Sequence, residues 1–161
     1  SVEPNAIIVC FGGAPLGVGN IYDWYAQVWN YGAYNYCNAI SIHAYLPGPY
    51  LGNFSSEWIQ YLDAYENLTH KPIFITEFGF PASSKIIPGY SQKGQAEFLE
   101  KSLQVFASLP YIRQAYWYDL WGLSDGELGN NYGLLNLTNP SSGTPNLAWH
   151  VFLQANNESV H

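Results

Sequence analysis

The chain has 161 residues, a net charge of −7 and only five lysines and arginines. This length is enough for one domain with a hydrophobic core, and a hydrophobic share of 48% excludes a disordered chain. Nucleic acid and anionic membranes need clustered cations, so neither is an expected partner, and no apolar run approaches the ~18 residues of a membrane span.

Four apolar runs along the chain predict strands that are buried on both faces, as in a parallel sheet. Glycine and proline mark their ends, as Gly12-Gly13 does after the first run. The predicted strands are Asn5–Phe11, Ala39–Tyr45, Pro72–Thr76 and Ile112–Trp121, the last running into a loop.

Helix signals lie between and after these runs. Ser55 or Ser56 is a good N-cap for a helix whose aromatic and leucine residues recur at helical spacing, and Ser91 caps another. Thr144-Pro145 has the pattern of an N-cap followed by proline at the first helical position, so it predicts a last helix that ends near Gln154. A first short helix is predicted over Asp23–Tyr31.

The spacing of the predicted strands is nearly constant. Strands start at Ala6, Ala39 and Pro72, each 33 residues after the one before, and Arg113 follows after 41. Strand–helix units of constant length predict a βα repeat with parallel strands. Four such units are half of a (β/α)8 barrel, which takes ~200 residues or more, so this chain cannot close one alone.

The third predicted strand exits onto a lone carboxylate, Glu77, between aromatic residues. Burying a carboxylate is costly unless it is paired or solvated in a pocket. Parallel α/β folds place their chemistry at the carboxyl ends of strands, where Glu77 lies. The alternative is a structural glutamate that caps a loop or meets a lysine.

Three other polar or aromatic side chains are expected at the same end of the sheet. His43 and Tyr45 are two residues apart at the end of the second strand and share one face of it. Trp117 lies near the end of the fourth strand. Core packing is an equal alternative for each residue alone, but their joint position with Glu77 predicts one pocket.

These segments resemble known motifs. ITEFGF around Glu77 resembles the seventh-strand motif of the clan A glycoside hydrolases, and is most similar to the families numbered five and thirty-nine. SIHAY matches the His-x-Tyr of the clan's sixth strand, AYWYDLWG resembles its eighth strand and EPNAIIVCFGG the approach to its fifth. The resemblance covers residues 3–154. It implies an α/β fold that is the C-terminal half, strands 5–8, of a (β/α)8 TIM barrel and needs a complementary half to close. Residues 1–161 are then half of one barrel domain, with a frayed tail over residues 155–161.

The resemblance also implies roles for individual residues. Glu77 is the catalytic nucleophile, Tyr45 orients it, and His43 binds a sugar hydroxyl or Tyr45. Trp117 stacks under the sugar whose bond is cut, and Asp119 and Trp121 reach a flanking sugar. The richness in aromatic residues, 17% of the chain, suits a protein that stacks on sugar rings. No cofactor and no metal are implied.

The chain departs from the clan in one respect. Retaining glycosidases need a second carboxylate, ~5–5.5 Å from the first, as acid/base. In the clan that residue is the Glu of an Asn-Glu pair at the end of the fourth strand, which would fall before Ser1. The chain is therefore expected to be part of a retaining enzyme acting on a β-linked oligo- or polysaccharide and to be inactive alone. The alternative is a non-catalytic surface or particle component that binds glycan.

Two cysteines and four sequons bear on location. Cys10 lies late in the first predicted strand and Cys37 just before the second, so we expect them near opposite ends of the sheet, as buried thiols too far apart for a disulfide. Asn-x-Ser/Thr sequons predict an extracellular glycoprotein with acceptors on exposed loops or helix ends. The absence of methionine predicts that an upstream part has been removed. The acceptors are Asn53, Asn67, Asn136 and Asn157.

Overall fold

The computed structural model describes residues 6–13, 21–45, 54–84, 88–122, 131–136 and 143–158. A four-stranded sheet lies at its centre, in the order β1–β2–β3–β4, and every neighbouring pair is parallel. This confirms the βα repeat predicted from the strand spacing. The strands are β1 (Val9–Gly13), β2 (Ala39–Ala44), β3 (Ile73–Phe78) and β4 (Ile112–Trp117).

A helix follows each of the first three strands, and a fourth helix ends the described chain. The N-cap predicted at Ser91 is confirmed, because its Oγ accepts a hydrogen bond from the Gly94 amide at 3.1 Å. None of the described helices is long and apolar enough to cross a membrane. The helices are α1 (Ile21–Asn30), α2 (Phe54–Thr69), α3 (Gln92–Ser108) and α4 (Leu147–Glu158), with a short 3-10 helix over Ala33–Asn35.

The core lies between the sheet and its helices. Trp58, Leu62 and Tyr65 are each at most 1% exposed, which confirms the stripe at helical spacing on α2. From the sheet, Ile40, Ile42, Ile73, Ile75 and Phe78 project into the same core.

The first strand begins later than predicted, and this changes the reading of the cysteines. Because β1 starts at Val9, Cys10 lies near its amino end, in register with Ile40 of β2. Cys37 lies two residues before β2, at the same end, and the two Cα atoms are 5.6 Å apart. The expectation of two separate thiols is therefore wrong, since Cys10 and Cys37 form a disulfide.

A small second sheet corrects the predicted start of the last helix. Thr144–Pro145 forms β7, which pairs antiparallel with β6 (Leu135–Asn136), and β6 pairs parallel with β5 (Trp121–Gly122). Strand pairing overrides the local Thr-Pro signal, so the helix begins at Leu147. It continues to Glu158, beyond the end predicted near Gln154.

Candidate active site

Neighbouring parallel strands bring three of the predicted site residues together. His43 of β2 is in register with Glu77 of β3, and Tyr45 follows β2 directly. The Tyr45 hydroxyl donates a hydrogen bond to Glu77 Oε2 at 3.0 Å, and His43 Nδ1 lies 3.2 Å from the same oxygen. The site therefore stands at the carboxyl end of the sheet, with its carboxylate held from the adjacent strand.

The site is half open to solvent. The side chain of Glu77 is 36% exposed and that of His43 is 20% exposed. Burial, and then the hydrogen bond to Glu77, raise the pKa of Tyr45 well above its usual range. Its phenol therefore stays protonated and remains a donor to the carboxylate at any physiological pH.

Beneath the carboxylate lies a small polar layer. The Ser41 and Thr76 hydroxyls are hydrogen-bonded between β2 and β3. Gly12 of β1, with a φ of 143°, lies beside this layer. A Cβ atom added at Gly12 would lie 3.7 Å from both His43 Nε2 and Ser41 Oγ.

Two tyrosines that the sequence analysis did not single out stand beside Tyr45. The Tyr132 ring is 6.1 Å from that of Tyr45, edge to face, and 5.8 Å from that of Tyr118. Tyr118 is 44% exposed and is tied to β3, because its amide donates to the Phe78 carbonyl at 2.8 Å. Together they form an aromatic wall next to the carboxylate.

Buried polar groups and a glycine hold this wall in place. Gln95 of α3, fully buried, donates from Nε2 to the Tyr132 carbonyl at 3.0 Å. Trp117 Nε1 donates to the same carbonyl at 3.2 Å. A Cβ at Gly79 would lie 2.3 Å from the Tyr118 carbonyl oxygen and 3.1 Å from Tyr132 Cδ1, so only glycine permits this approach. No sequence pattern marks Tyr132 as a site residue, because Tyr132 lies in a polar, glycine-rich segment between the regular elements.

Trp117 is not brought to the Glu77 side of the sheet. It pairs in register with Phe78, and its ring lies 5.2 Å from the Phe78 ring and 6.3 Å from that of Phe98 on α3. Side chains alternate along a strand, so its neighbours Tyr116 and Tyr118 are the ones that stay exposed. Trp117 therefore packs with the core, the alternative that was weighed for it.

The remaining two predicted site residues lie beyond β4. Asp119 is partly buried in the turn before β5, and within the described residues its Oδ1 is buried without a hydrogen-bond partner. Burial raises the pKa of this carboxyl above 3.8. Trp121 of β5 is 42% exposed. Its ring packs against Gly143, since a Cβ atom added at Gly143 would lie 2.6 Å from Trp121 Cζ3.

The predicted glycosylation acceptors differ in their surroundings. Asn67 in the last turn of α2 and Asn157 near the end of α4 are exposed, as expected. Asn136 is partly buried, and its Nδ2 donates to Asn146 Oδ1 at 2.9 Å, so the expectation of an exposed acceptor is wrong there. Asn53 lies outside the described residues.

No group of three or more His, Cys, Asp or Glu side chains in the described ranges is arranged to hold a metal ion.

Comparison with solved structures identifies the same fold in larger enzymes. The chain is similar to Ruminococcus gnavus β-glucuronidase, with a TM-score of 0.60 and 20% identity over 80% of this chain and 23% of that chain. β-D-Glucuronidase from Dictyoglomus thermophilum gives a TM-score of 0.61 and 17% identity over 78% and 23% of the two chains. The R. gnavus enzyme in complex with N1-substituted uronic isofagomine gives a TM-score of 0.60 and 18% identity, over 89% of this chain and 30% of that chain. Comparison with the curated proteins gives no match.

These findings define the class of protein. The parallel α/β sheet is similar to part of the TIM-barrel β-glucuronidase structures, a likeness of fold. Residues 9–147 match the family described as Glycosyl hydrolase catalytic core, and the chain belongs to that family. The chain spans only 23% to 30% of the length of the structures it resembles.

Proposed function

We propose that this chain is the C-terminal part of a retaining glycoside hydrolase that acts on a β-linked glycan, with Glu77 as the nucleophile. The observation that carries the proposal is the Glu77 carboxylate at the end of β3, oriented by the Tyr45 hydroxyl at 3.0 Å and by His43 at 3.2 Å. The resemblance of its strand motifs to the families numbered five and thirty-nine supports the retaining mechanism.

The proposed reaction has two steps. Glu77 Oε attacks the anomeric carbon, the glycosidic C–O bond breaks, and a glycosyl ester forms while an acid protonates the leaving oxygen. Water then attacks the ester, gives its proton to the same acid/base and releases Glu77. The groups described in contact with Glu77 are a phenol and an imidazole, so we place the acid/base on a complementary N-terminal half, from the same precursor or a separate chain.

The sugar that meets this half of the site is proposed to be neutral. A glucuronate carboxylate is bound best by an arginine or lysine, because charge-assisted hydrogen bonds are the strong ones. The R. gnavus and D. thermophilum structures are named as β-glucuronidases, but their identity to this chain is at most 20%. In the described part of this chain, the cations lie at the amino ends of strands or on α3: Lys71, Lys93, Lys101 and Arg113. Lys85 lies outside the described residues.

The experiment is a comparison of the complete protein with its Glu77→Gln variant. Both are assayed on a panel of aryl β-glycosides that includes neutral sugars and a β-glucuronide. We expect the variant to lose turnover by about four orders of magnitude or more, as enzymes do when their nucleophile is removed, and the wild type to prefer neutral sugars. Full activity of Glu77→Gln would contradict the role of Glu77. A folded wild type that hydrolyses nothing in the panel would favour the non-catalytic, glycan-binding alternative.

We also propose that the protein works outside the cell. The Cys10–Cys37 disulfide supports this, because disulfides persist in oxidising compartments. The exposed sequon residues Asn67 and Asn157 are the acceptors that fit best. Intact mass of the protein from its native source, before and after deglycosylation and alkylation, tests the idea. An unmodified mass with two free thiols would contradict it.

A further inference from the structure

Three tyrosines that the site does not use stand exposed between α1 and β2. Tyr31 is 91% exposed, Tyr36 is 75% and Tyr34 is 51%. Tyr34 packs on the buried Trp29, with 6.2 Å between the ring centroids. Rings as open as those of Tyr31 and Tyr36 contribute little to folding. Three exposed tyrosines within six residues therefore need a further explanation.

The backbone that carries these rings is fixed. Gly32, with a φ of 100°, caps the short 3-10 helix that follows α1. Successive turn hydrogen bonds join the amides of Gly32, Asn35 and Tyr36 to carbonyls three residues earlier. Cys37, the residue after Tyr36, is tied to β1 by the disulfide. The rings are thus presented from a rigid support, so binding would cost little backbone ordering.

The surroundings of the rings are neutral and polar. From residue 21 to residue 45 the only Asp, Glu, Lys or Arg is Asp23. Two exposed amides stand beside the tyrosines: Asn30 directly before Tyr31, and Asn35 between Tyr34 and Tyr36. Tyrosines also occur at interfaces between proteins, but rings that stand beside amides and away from charges match sugar rings, which offer apolar faces and hydroxyl edges.

We propose that Tyr31, Tyr34 and Tyr36 form a second glycan-binding site, for a neutral polysaccharide chain, apart from the active site. The tyrosines precede the amino end of β2, whereas Glu77 is at the carboxyl end of the sheet. Six residues of strand separate these ends, a distance of roughly 20 Å. The site would hold a polymer near the enzyme without touching the sugar that is cut.

The choice of a glycan as ligand rests on the proposed function, so the test measures polymer binding separately from hydrolysis. The complete protein carries Glu77→Gln to prevent hydrolysis, and its depletion from solution by suspended cellulose, xylan and β-1,3-glucan is measured. Replacing Tyr31, Tyr34 and Tyr36 together by alanine should weaken binding to at least one of these polymers by about 10-fold or more, if each ring contributes as an aromatic contact does. The matched variant with three phenylalanines keeps the rings and should bind as well as its parent.

A second measurement uses active protein with Glu77 intact. The triple alanine variant should hydrolyse a short aryl glycoside at the parental rate, because that substrate cannot span both sites. Unchanged polymer binding in the alanine variant, or no polymer binding by the parent, would overturn the proposal. So would a change in oligomeric state or a loss of thermal stability, since the rings would then belong to an interface. If no substrate is hydrolysed, the proposed function fails, while the depletion measurement still decides the second site.

Discussion

At the scale of single residues, the Glu77 carboxylate is the proposed nucleophile, and its neighbours hold it in place. Glu77 receives a hydrogen bond from Tyr45 and lies beside His43, both from the neighbouring strand. Two contacts on one carboxylate oxygen fix its direction. A nucleophile needs a fixed direction, because it must attack one carbon from one side.

Tyr45→Phe tests the contribution of that hydrogen bond. Hydrogen bonds to charged groups are worth about 1.5–3 kcal/mol, so we expect kcat of the complete protein to fall by about 10- to 100-fold. KM should change less, because in the proposed mechanism Tyr45 holds the nucleophile and not the substrate. Steady-state kinetics on an aryl β-glycoside measures both constants.

Tyr111→Phe is the matched control, since Tyr111 also donates to a carboxylate, that of Asp63, but at the amino end of β4. It should leave kcat unchanged. A wild-type rate for Tyr45→Phe, or an equal loss in both variants, would contradict the positioning role.

Asp119→Asn tests a second buried carboxyl. Burial raises the pKa of Asp119 in the folded protein above 3.8, so folding favours its protonated form. Its stabilising contribution is present below the unfolded pKa and is lost as the pH rises through the folded pKa. At neutral pH the variant should therefore be more stable than the wild type, and the difference should shrink as the pH falls towards about 4.

Melting temperatures of the complete protein across that pH range check this expectation. The exposed Asp23 offers a control, because Asp23→Asn should change stability little at any of these pH values. Lower stability of Asp119→Asn at neutral pH would show that the charged carboxylate has a partner.

The site was predictable only where it lies on strand ends. Glu77, His43 and Tyr45 follow buried runs in a parallel repeat, so their meeting follows from topology. Tyr132 comes from a loop whose path depends on tertiary contacts such as the Gln95 bond to its carbonyl. Trp117 pairs with Phe78 after a register irregularity between Ile75 and Phe78, and an irregularity of this kind cannot be predicted from the sequence.

At the scale of elements, the spacing of the strands predicted their parallel order. Local capping and hydrophobicity signals were less reliable for placing the starts of strands and helices. The repeat of 33 residues is a property of whole βα units, and the parallel order of the four strands follows it. The start of β1 could not be placed by hydrophobicity, since Ile7 and Ile8 are apolar yet exposed before the strand. That shift of a few residues turned two distant thiols into a disulfide pair.

Replacing Cys10 and Cys37 by serine tests the disulfide. The bond closes a loop over a sequence separation of 27 residues and joins the amino ends of β1 and β2. The complete protein should lose about 2–4 kcal/mol of unfolding free energy, because the open loop raises the entropy of the unfolded chain. Denaturant unfolding of the double variant measures the loss, and reduction of the wild type should reproduce it. Equal stability of variant and wild type would contradict the bond.

At the scale of the whole molecule, both edges of the main sheet are open in the described structure. At the β1 edge, Ile7, Ile8 and Val9 are 67%, 52% and 37% exposed. At the β4 edge, a groove of about 980 Å³ runs between β4, α3 and α4. Its lining is largely apolar and includes Leu99, Phe106, Ile112, Ala115, Trp149 and Phe152.

These edges predict the behaviour of the isolated chain. Unpaired strands and exposed apolar surface favour association, so the 161-residue chain should pair with a complementary half, dimerise or aggregate. Light scattering gives the mass in solution, and a thermal melt gives the cooperativity. A monodisperse monomer that unfolds cooperatively would contradict this expectation.

The most direct test of the whole account is covalent capture of the nucleophile. The complete protein is treated with a mechanism-based fluorosugar or cyclitol epoxide of a neutral β-glycoside, and its peptides are mapped by mass spectrometry. The account predicts one label, on the Glu77 side chain, that disappears in Glu77→Gln. A label on a different carboxylate, with Glu77 unmodified in protein that has lost its activity, would contradict it.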